Sequence, residues 1–241
     1  MSAKLIFLGT TIGNIDDISI RAIKTIFSTE VIFAEDTRVF LKLKNILKER
    51  YSDIIKMLSL DVDFKNKLFS YREQNHSRAI KQITEFLLDD KDVVYCSDAG
   101  MPGISDPGAR ISAEVIQMGI EIDVVSGPTA VISALLMSAL PIDKFSFLGF
   151  LPKKEGKIVK LLEKYLVEET TVVFYESPHR VFKVCEIIIK NLGHGIEVAA
   201  VTEISKLHQK VFRGEISDVI YELLHYTELK GEWTVCLRRI S

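Results

Sequence analysis

Val93-Val94-Tyr95-Cys96 followed by Ser97-Asp98-Ala99-Gly100-Met101-Pro102-Gly103-Ile104-Ser105-Asp106-Pro107-Gly108 is the passage that decides the fold. The first four residues are a short apolar run bounded by turn residues, and read as a strand. In the next twelve, three glycines and two prolines fix a rigid, irregular loop whose N–H and C=O groups stay open to a ligand. Asp106-Pro107 then reads as the N-cap and first position of a helix ending near Gly119. Asp98 stands directly at the strand end and is the better ligand contact; Asp106 reads as structural.

The same strand–loop–helix unit recurs on both sides. Leu5 to Leu8 is a buried-strand candidate, followed by the loop Gly9-Thr10-Thr11-Ile12-Gly13-Asn14. Asp16 or Asp17 is expected to cap a helix carrying Ile18, Ala22, Ile23 and Ile26 at helical spacing. Val31 to Ala34 is the next strand and delivers Glu35-Asp36-Thr37-Arg38 to its C-terminal end. Residues 41 to 67 read only as helix plus connection. Ser77 is expected to cap a helix with Ile80, Ile83 and Leu87 on one face. Glu121 to Val125 is a strand, and Gly127-Pro128 opens another helix.

After a stretch of Pro, Gly, Lys and aromatic residues from Pro141 to Lys157, the alternation restarts. Strands are expected over 170–175, 196–201 and 233–239. Helices are expected from Ser177-Pro178 to about Leu192 and from Ser217 through Leu224. Alternating elements of this kind predict α/β layers. The chain reads as two α/β domains, residues 1–125 and 126–241.

Composition bounds the function. The chain has 241 residues, 47% hydrophobic and 27% charged, which excludes wholesale disorder and allows a sizeable core. The most apolar stretch, Val131 to Leu140, is half of the ~20 residues a membrane span needs. Three scattered cysteines without a C-x-x-C spacing argue for a reducing cytoplasm rather than a disulfide framework or a zinc site. A net charge of −2 argues against a general polyanion binder while leaving room for a local basic patch.

Glycine loops after successive strands, 9–14, 97–108 and 126–130, point to one shared ligand cleft. None of them reads G-x-G-x-x-G or G-x-x-x-x-G-K-[ST], so the usual dinucleotide and P-loop sites are missing. No H-E-x-x-H occurs, and Asp98 and Asp106 have no neighbouring histidines for a metal.

Leu8 to Ile18 followed by Ala34-Glu35-Asp36-Thr37-Arg38 resembles the start of the small-subunit ribosomal RNA (cytidine-2′-O)-methyltransferases, members of the tetrapyrrole methylase superfamily. Ser97 to Gly108 is similar to their most diagnostic motif. Phe174-Tyr175-Glu176-Ser177-Pro178-His179-Arg180, Thr202 to His208 and Phe212-Arg213-Gly214 extend the likeness, in order, over nearly the whole chain. Two departures stand out. Tyr71-Arg72-Glu73-Gln74-Asn75 lies where such enzymes often show histidines around the glutamate. The chain also stops soon after Gly231-Glu232-Trp233, without the extra helical segment many members carry.

The resemblance implies a two-domain, class III methyltransferase that uses S-adenosyl-L-methionine in a cleft between the domains, acts in the cytoplasm and forms a homodimer. It assigns Ile12, Asp98 and Met101, then Thr129 and Ala130, and finally Tyr175 to cofactor binding. Four of them have a plainer alternative: core packing for Ile12 and Met101, helix capping for Thr129, interdomain filling for Tyr175. Glu35 and Asp36 are candidates for assisting the acceptor hydroxyl, and Arg38 for holding a phosphate, against capping plus a surface ion pair. Lys206, with Glu203, is a further catalytic candidate, and His179 reads equally as a base or a surface histidine.

The implied substrate is small-subunit rRNA or the assembled small ribosomal subunit. Lys153, Lys154, Lys157 and Lys160, and the run Lys206, His208, Lys210 and Arg213, would meet RNA or simply be solvated. Phe145, Phe147 and Phe150 alternate as a half-buried strand does. Two competing functions stay open: a methyltransferase of the same superfamily acting on a tetrapyrrole or a protein side chain, and a non-catalytic ribosome-assembly factor.

Overall fold

A computed structural model describes residues 3–167, 169–226 and 230–240. The chain divides into two compact units, Met1–Pro128 and Thr129–Ser241.

In the first unit the strands are β1 (Lys4–Leu8), β2 (Val31–Ala34), β3 (Lys67–Ser70), β4 (Val93–Cys96) and β5 (Glu121–Val125). They form one sheet in the order β3-β2-β4-β1-β5, and every pairing is parallel. Successive side chains face opposite sides. Leu5 and Phe7 join Val31, Phe33, Val93 and Tyr95 in one core, while Ile6 and Leu8 join Ile32, Ala34, Val94 and Cys96 in the other.

Helices α1 (Ile20–Ile26), α2 (Thr37–Arg50) and α3 (Ser52–Met57) cover one face through Ile23, Ile26, Phe40, Leu47 and Ile55. Helices α4 (His76–Leu88) and α5 (Gly108–Gln117) cover the other through Ala79, Ile83, Leu87, Ile111 and Val115. Strands covered on both faces have no polar side, which is why the sequence shows continuous apolar runs.

The second unit begins with α6 (Ala130–Ser138) and holds β6 (Phe145–Phe150), α7 (Glu155–Tyr165), β7 (Thr171–Glu176), α8 (Val181–Leu192), β8 (Ile196–Thr202), β9 (Lys210–Glu215), α9 (Ile216–His225) and β10 (Trp233–Arg239). The sheet order is β6-β7-β10-β8-β9. Only the β6–β7 pair is parallel; the other three are antiparallel. Phe174, Val198, Phe212, Trp233 and Val235 build its core with Ile158, Leu162, Val184, Ile188, Val219 and Leu223 of α7, α8 and α9. Burial of one such side chain contributes about 1.5–3 kcal/mol. Helix α6 lies against β8 and β10.

Several helix starts differ from their sequence expectations. Asp16 and Asp17 form a short 3₁₀ turn capped by Asn14, and Ser19 caps α1. Helix α4 begins at His76, one residue before Ser77. Pro107 occupies the cap position of α5, yet Asp106 still accepts the Gly108 N–H at 2.7 Å from one residue earlier. Residues 177–180 form a turn ahead of α8, which places His179 outside the helix. Glu215, not Ser217, caps α9, accepting the Ser217 N–H.

All three cysteines are buried and unpaired. Among the described residues no helix is long and apolar enough to cross a membrane, and no His, Cys, Asp and Glu cluster suits a metal ion.

Candidate functional site

Parallel strands end at a common edge, so the residues following β1, β2, β4 and β5 become neighbours there. The three glycine loops interlock at this edge. Gly9 N–H donates to Val125 O at 2.9 Å, Thr10 N–H to Gly100 O at 2.9 Å, and Gly100 N–H to Thr11 O at 3.2 Å. Gly127 N–H donates to Met101 Sδ at 3.0 Å. A Cβ on Gly9 would fall 2.6 Å from Gly127 N and 2.7 Å from Met101 Sδ. One on Gly100 would meet Ile12 Cγ2 at 3.0 Å and Pro128 O at 3.3 Å.

These glycines therefore let the loops approach one another. Ile12 is buried in this junction, and Met101 is half-buried against Gly9 and Gly127. Thr10 Oγ1 is buried and has no hydrogen-bond partner among the described residues. An unsatisfied hydroxyl costs about 1–3 kcal/mol, so a polar group of a bound molecule is the natural complement of this junction.

Beside the loops lies an acidic group with its own order. Asp98 Oδ1 accepts the Asp36 N–H at 2.9 Å, and Asp98 N–H points to Glu35 Oε2 at 3.4 Å. Glu35 N–H donates to Cys96 O at 3.1 Å, holding the end of β2 against that of β4. Partial burial, then the charge of Asp98, pushes the Glu35 carboxyl above the ordinary glutamate value, against the Asp98 N–H that favours its anion. Asp36 is the opposite case. It caps α2 through the Arg38 N–H, and bonds from Arg38 and then the charge of Arg72 hold it well below the usual carboxylate range. Of the two candidates, Asp36 is held as an anion by its partners, while the surroundings of Glu35 favour its protonated form.

A layer of polar contacts supports the long loop from beneath, and sequence reasoning did not foresee it. Asp106 accepts from Gly103 N–H and Gly108 N–H at 2.7 Å each and from Tyr95 Oη at 3.1 Å. Tyr71, fully buried, lies edge-on to Tyr95 at 5.3 Å between ring centres and donates to Pro107 O at 3.3 Å. Its hydroxyl lies 2.6 Å from His76 Nδ1, and His76 Nε2 lies 2.7 Å from Glu114. Burial pushes the Tyr71 phenol up to about 12, so it stays a neutral hydrogen-bonding group. The signal available was Tyr71 and Tyr95 at ends of apolar runs, where a buried phenol must find a partner.

In the second unit Thr129 caps α6 by accepting the Ile132 N–H at 3.3 Å, and Ala130 is the first residue of that helix. Tyr175, on β7, packs edge-on against Phe147 at 5.0 Å and near Phe150 at 5.5 Å, both on β6. Lys206 donates to Glu203 at 3.0 Å and to Glu232 at 3.4 Å. Burial opposes its charge, but the two carboxylates outweigh that and raise its pKa, favouring the protonated form.

The turn carrying Lys206 is built with care. Glu203 and Ser205 hold φ of 51° and 61°, left-handed values that cost non-glycine residues about 1–2 kcal/mol each. Gly231 leaves the room for Glu203, since a Cβ there would fall 1.9 Å from Glu203 Oε1. The cluster sits at the sheet end that carries Tyr175, because Trp233 pairs with both Glu176 and Thr202.

Of the two basic runs, Lys153, Lys154, Lys157 and Lys160 are exposed around the start of α7. Lys210 lies over the rings of Phe212 and Tyr226 at 4.8 and 4.5 Å, and Arg213 donates to Met137 O at 2.7 Å. The Phe174–Arg180 motif has a structural component. Buried Glu176 accepts the Ser177 N–H at 2.8 Å and faces Arg180 at 3.3 Å, while Arg180 holds Pro152 O at 2.9 Å.

A parallel first sheet with interlocked glycine loops at its carboxyl edge, followed by a mixed second sheet, defines a class III methyltransferase fold. The family model described as Tetrapyrrole (Corrin/Porphyrin) Methylases matches residues 4–220. The methyltransferase CobJ shares this fold with a TM-score of 0.67 at 16% identity, over 99% of this chain and 95% of its own. Uroporphyrin-III C-methyltransferase of Thermus thermophilus, solved with S-adenosylhomocysteine, superposes with a TM-score of 0.61 at 14% identity, over 98% and 97% of the two chains.

Curated relatives are far more similar in sequence. The ribosomal RNA small subunit methyltransferase I of Thermotoga maritima is 41% identical over 238 residues, 97% of each chain. The chain belongs to the tetrapyrrole methylase family, in the branch formed by the small-subunit methyltransferases I.

Proposed function

We propose that the protein methylates small-subunit ribosomal RNA with S-adenosyl-L-methionine, at the 2′-hydroxyl of a cytidine ribose. The observation that carries the acceptor is the 41% match to a small-subunit methyltransferase along 97% of both chains. The tetrapyrrole enzymes are similar at 13–16% identity, a level that speaks for fold alone. The residues fit the methyl donor: Thr10 Oγ1 is a buried polar atom in want of a partner, at a junction of backbone loops. Ile12, Asp98 and Met101 would hold the donor on the first unit, and Thr129, Ala130 and Tyr175 are assigned to it on the second. When bound, the donor supplies an already activated methyl group on a sulfonium.

What remains for the protein is alignment and the hydroxyl proton. Alignment of reacting groups can supply ~7–11 kcal/mol, whereas a general base typically adds about 10²–10⁴-fold. Glu35 is the base in this reading, because its raised pKa leaves a carboxylate willing to accept a proton. Asp36 fixes the backbone that presents it, and Asp98 ties the two strand ends together. Lys206, protonated between Glu203 and Glu232, acts as a positive hydrogen-bond donor. The relatives' substrate points to the small ribosomal subunit as partner, and we include a cytoplasmic homodimer in the proposal.

The test is transfer of labelled methyl to small subunits lacking the modification, followed by digestion to nucleosides. Label recovered in 2′-O-methylcytidine is expected. Failure with intact subunits under conditions where S-adenosylhomocysteine binds would overturn the acceptor, and label in another nucleoside would overturn the position.

A further inference from the structure

At the ends of β2 and β3, two guanidinium groups converge on one carboxylate. Arg38 donates through Nε and Nη2 to Asp36 at 3.1 and 2.6 Å. Arg72 donates through Nη2 to Asp36 at 3.1 Å and through Nε to Glu35 O at 3.2 Å. The Asp36 side chain is 14% exposed, against 85% for Arg38 and 52% for Arg72, so the carboxylate lies behind and the cations in front.

Capping α2 requires neither guanidinium, since Asp36 caps through the Arg38 backbone N–H. Glu35 and Asp98 also act on the arginines through their charge, but among the described residues neither side chain hydrogen-bonds a guanidinium: Asp98 Oδ1 takes the Asp36 N–H, and Glu35 Oε2 faces the Asp98 N–H. Each arginine thus has its Nε edge tethered, while donors remain on an exposed head. A guanidinium held from behind has already given up much of its rotamer freedom, and its planar fork matches the oxygens of a phosphate.

We propose that Arg38 and Arg72, braced on Asp36, form a clamp for one phosphodiester of the RNA beside Glu35. This rests on the reading of RNA as substrate. In that role they position the backbone so that the neighbouring ribose meets Glu35, and Arg72 becomes a substrate-binding residue. The clamp carries no base information, because phosphate contacts fix register and not sequence.

Salt dependence separates such a clamp from a structural ion pair. The probe is small ribosomal subunits lacking the methyl mark, with binding measured over a series of salt concentrations. S-adenosylhomocysteine binding is measured alongside as a check on the fold. Each lost phosphate contact makes the log affinity–log salt slope shallower by about 0.7–0.9. Arg38→Ala/Arg72→Ala should lose one such step and keep its S-adenosylhomocysteine affinity.

Arg72→Lys keeps the charge but not the fork, so it should hold the slope while weakening binding about tenfold. An unchanged slope in the double variant overturns the clamp. If the double variant does not fold, Arg72→Lys decides: weaker binding at the parent slope supports the clamp, and parental affinity overturns it. Absence of subunit binding by the parent protein would instead overturn the RNA reading on which the clamp rests.

Discussion

Glu35 and Asp36 follow one another at the end of β2, yet their surroundings push their acidities in opposite directions. The sequence offers them as equals; only the contacts distinguish them, because a carboxylate bonded by two arginines and a backbone N–H has no reason to take a proton. Glu35→Gln is expected to lower kcat by about 10²–10⁴-fold and to remove an acidic limb from the pH–rate profile. The same substitution should stabilise the fold. A carboxyl with a raised folded-state pKa binds its proton more tightly folded than unfolded, so ionising it costs stability. That cost is absent where both states are protonated and is complete above the folded pKa. Thermal melts should show Glu35→Gln gaining over the parent at neutral pH, with the gain vanishing as pH falls below the ordinary glutamate range. At Asp98, substitution by Ala is expected to weaken S-adenosylhomocysteine binding in calorimetry. Unchanged affinity would remove Asp98 from the site.

At the level of elements, the loops after β1 and β5 touch through bare backbone, and that contact has a clear breaking point. A Cβ on Gly9 meets the N and Cα of Gly127 at 2.6 and 2.8 Å, and backbone atoms cannot swing aside as a side-chain end can. Gly9→Ala should separate the two loops, displace Met101 and abolish cofactor binding, with a stability loss visible in denaturant titration. Retained binding in calorimetry would mean that the interlock is not what shapes the site. Such contacts explain how far the sequence could be read. The central strands were legible because a parallel sheet covered on both faces demands apolar runs, as in Val93 to Cys96. The edges were not. Exposed Lys67 opens β3, and β9 begins Lys210-Val211-Phe212-Arg213, where charge protects an edge strand and hides its pattern. The chemical roles were legible only as residue types at strand ends. Arg72 and Tyr95 declare themselves through partners 36 and 11 residues away, Asp36 and Asp106, which no local spacing reveals.

For the whole molecule, the division after Pro128 makes the first unit a candidate for independent folding. Its sheet is covered on both faces by helices from within residues 1–128, and among the described residues its two apolar clusters draw none from beyond Val125. A chain of that length can bury enough surface to fold alone. The fragment 1–128 is therefore expected to unfold cooperatively, with far-ultraviolet and tyrosine signals changing together on heating. Non-coincident transitions would show that it needs the rest of the chain. The fragment also contains Ile12, Glu35, Asp98, Met101 and the interlocked loops, but not Thr129, Ala130 or Tyr175. Its affinity for S-adenosylhomocysteine, set against that of the full chain, measures what residues 129–241 add. A fragment that folds and binds as tightly as the parent would assign the cofactor to the parallel sheet alone. One that folds and binds more weakly keeps the second unit's residues in the site.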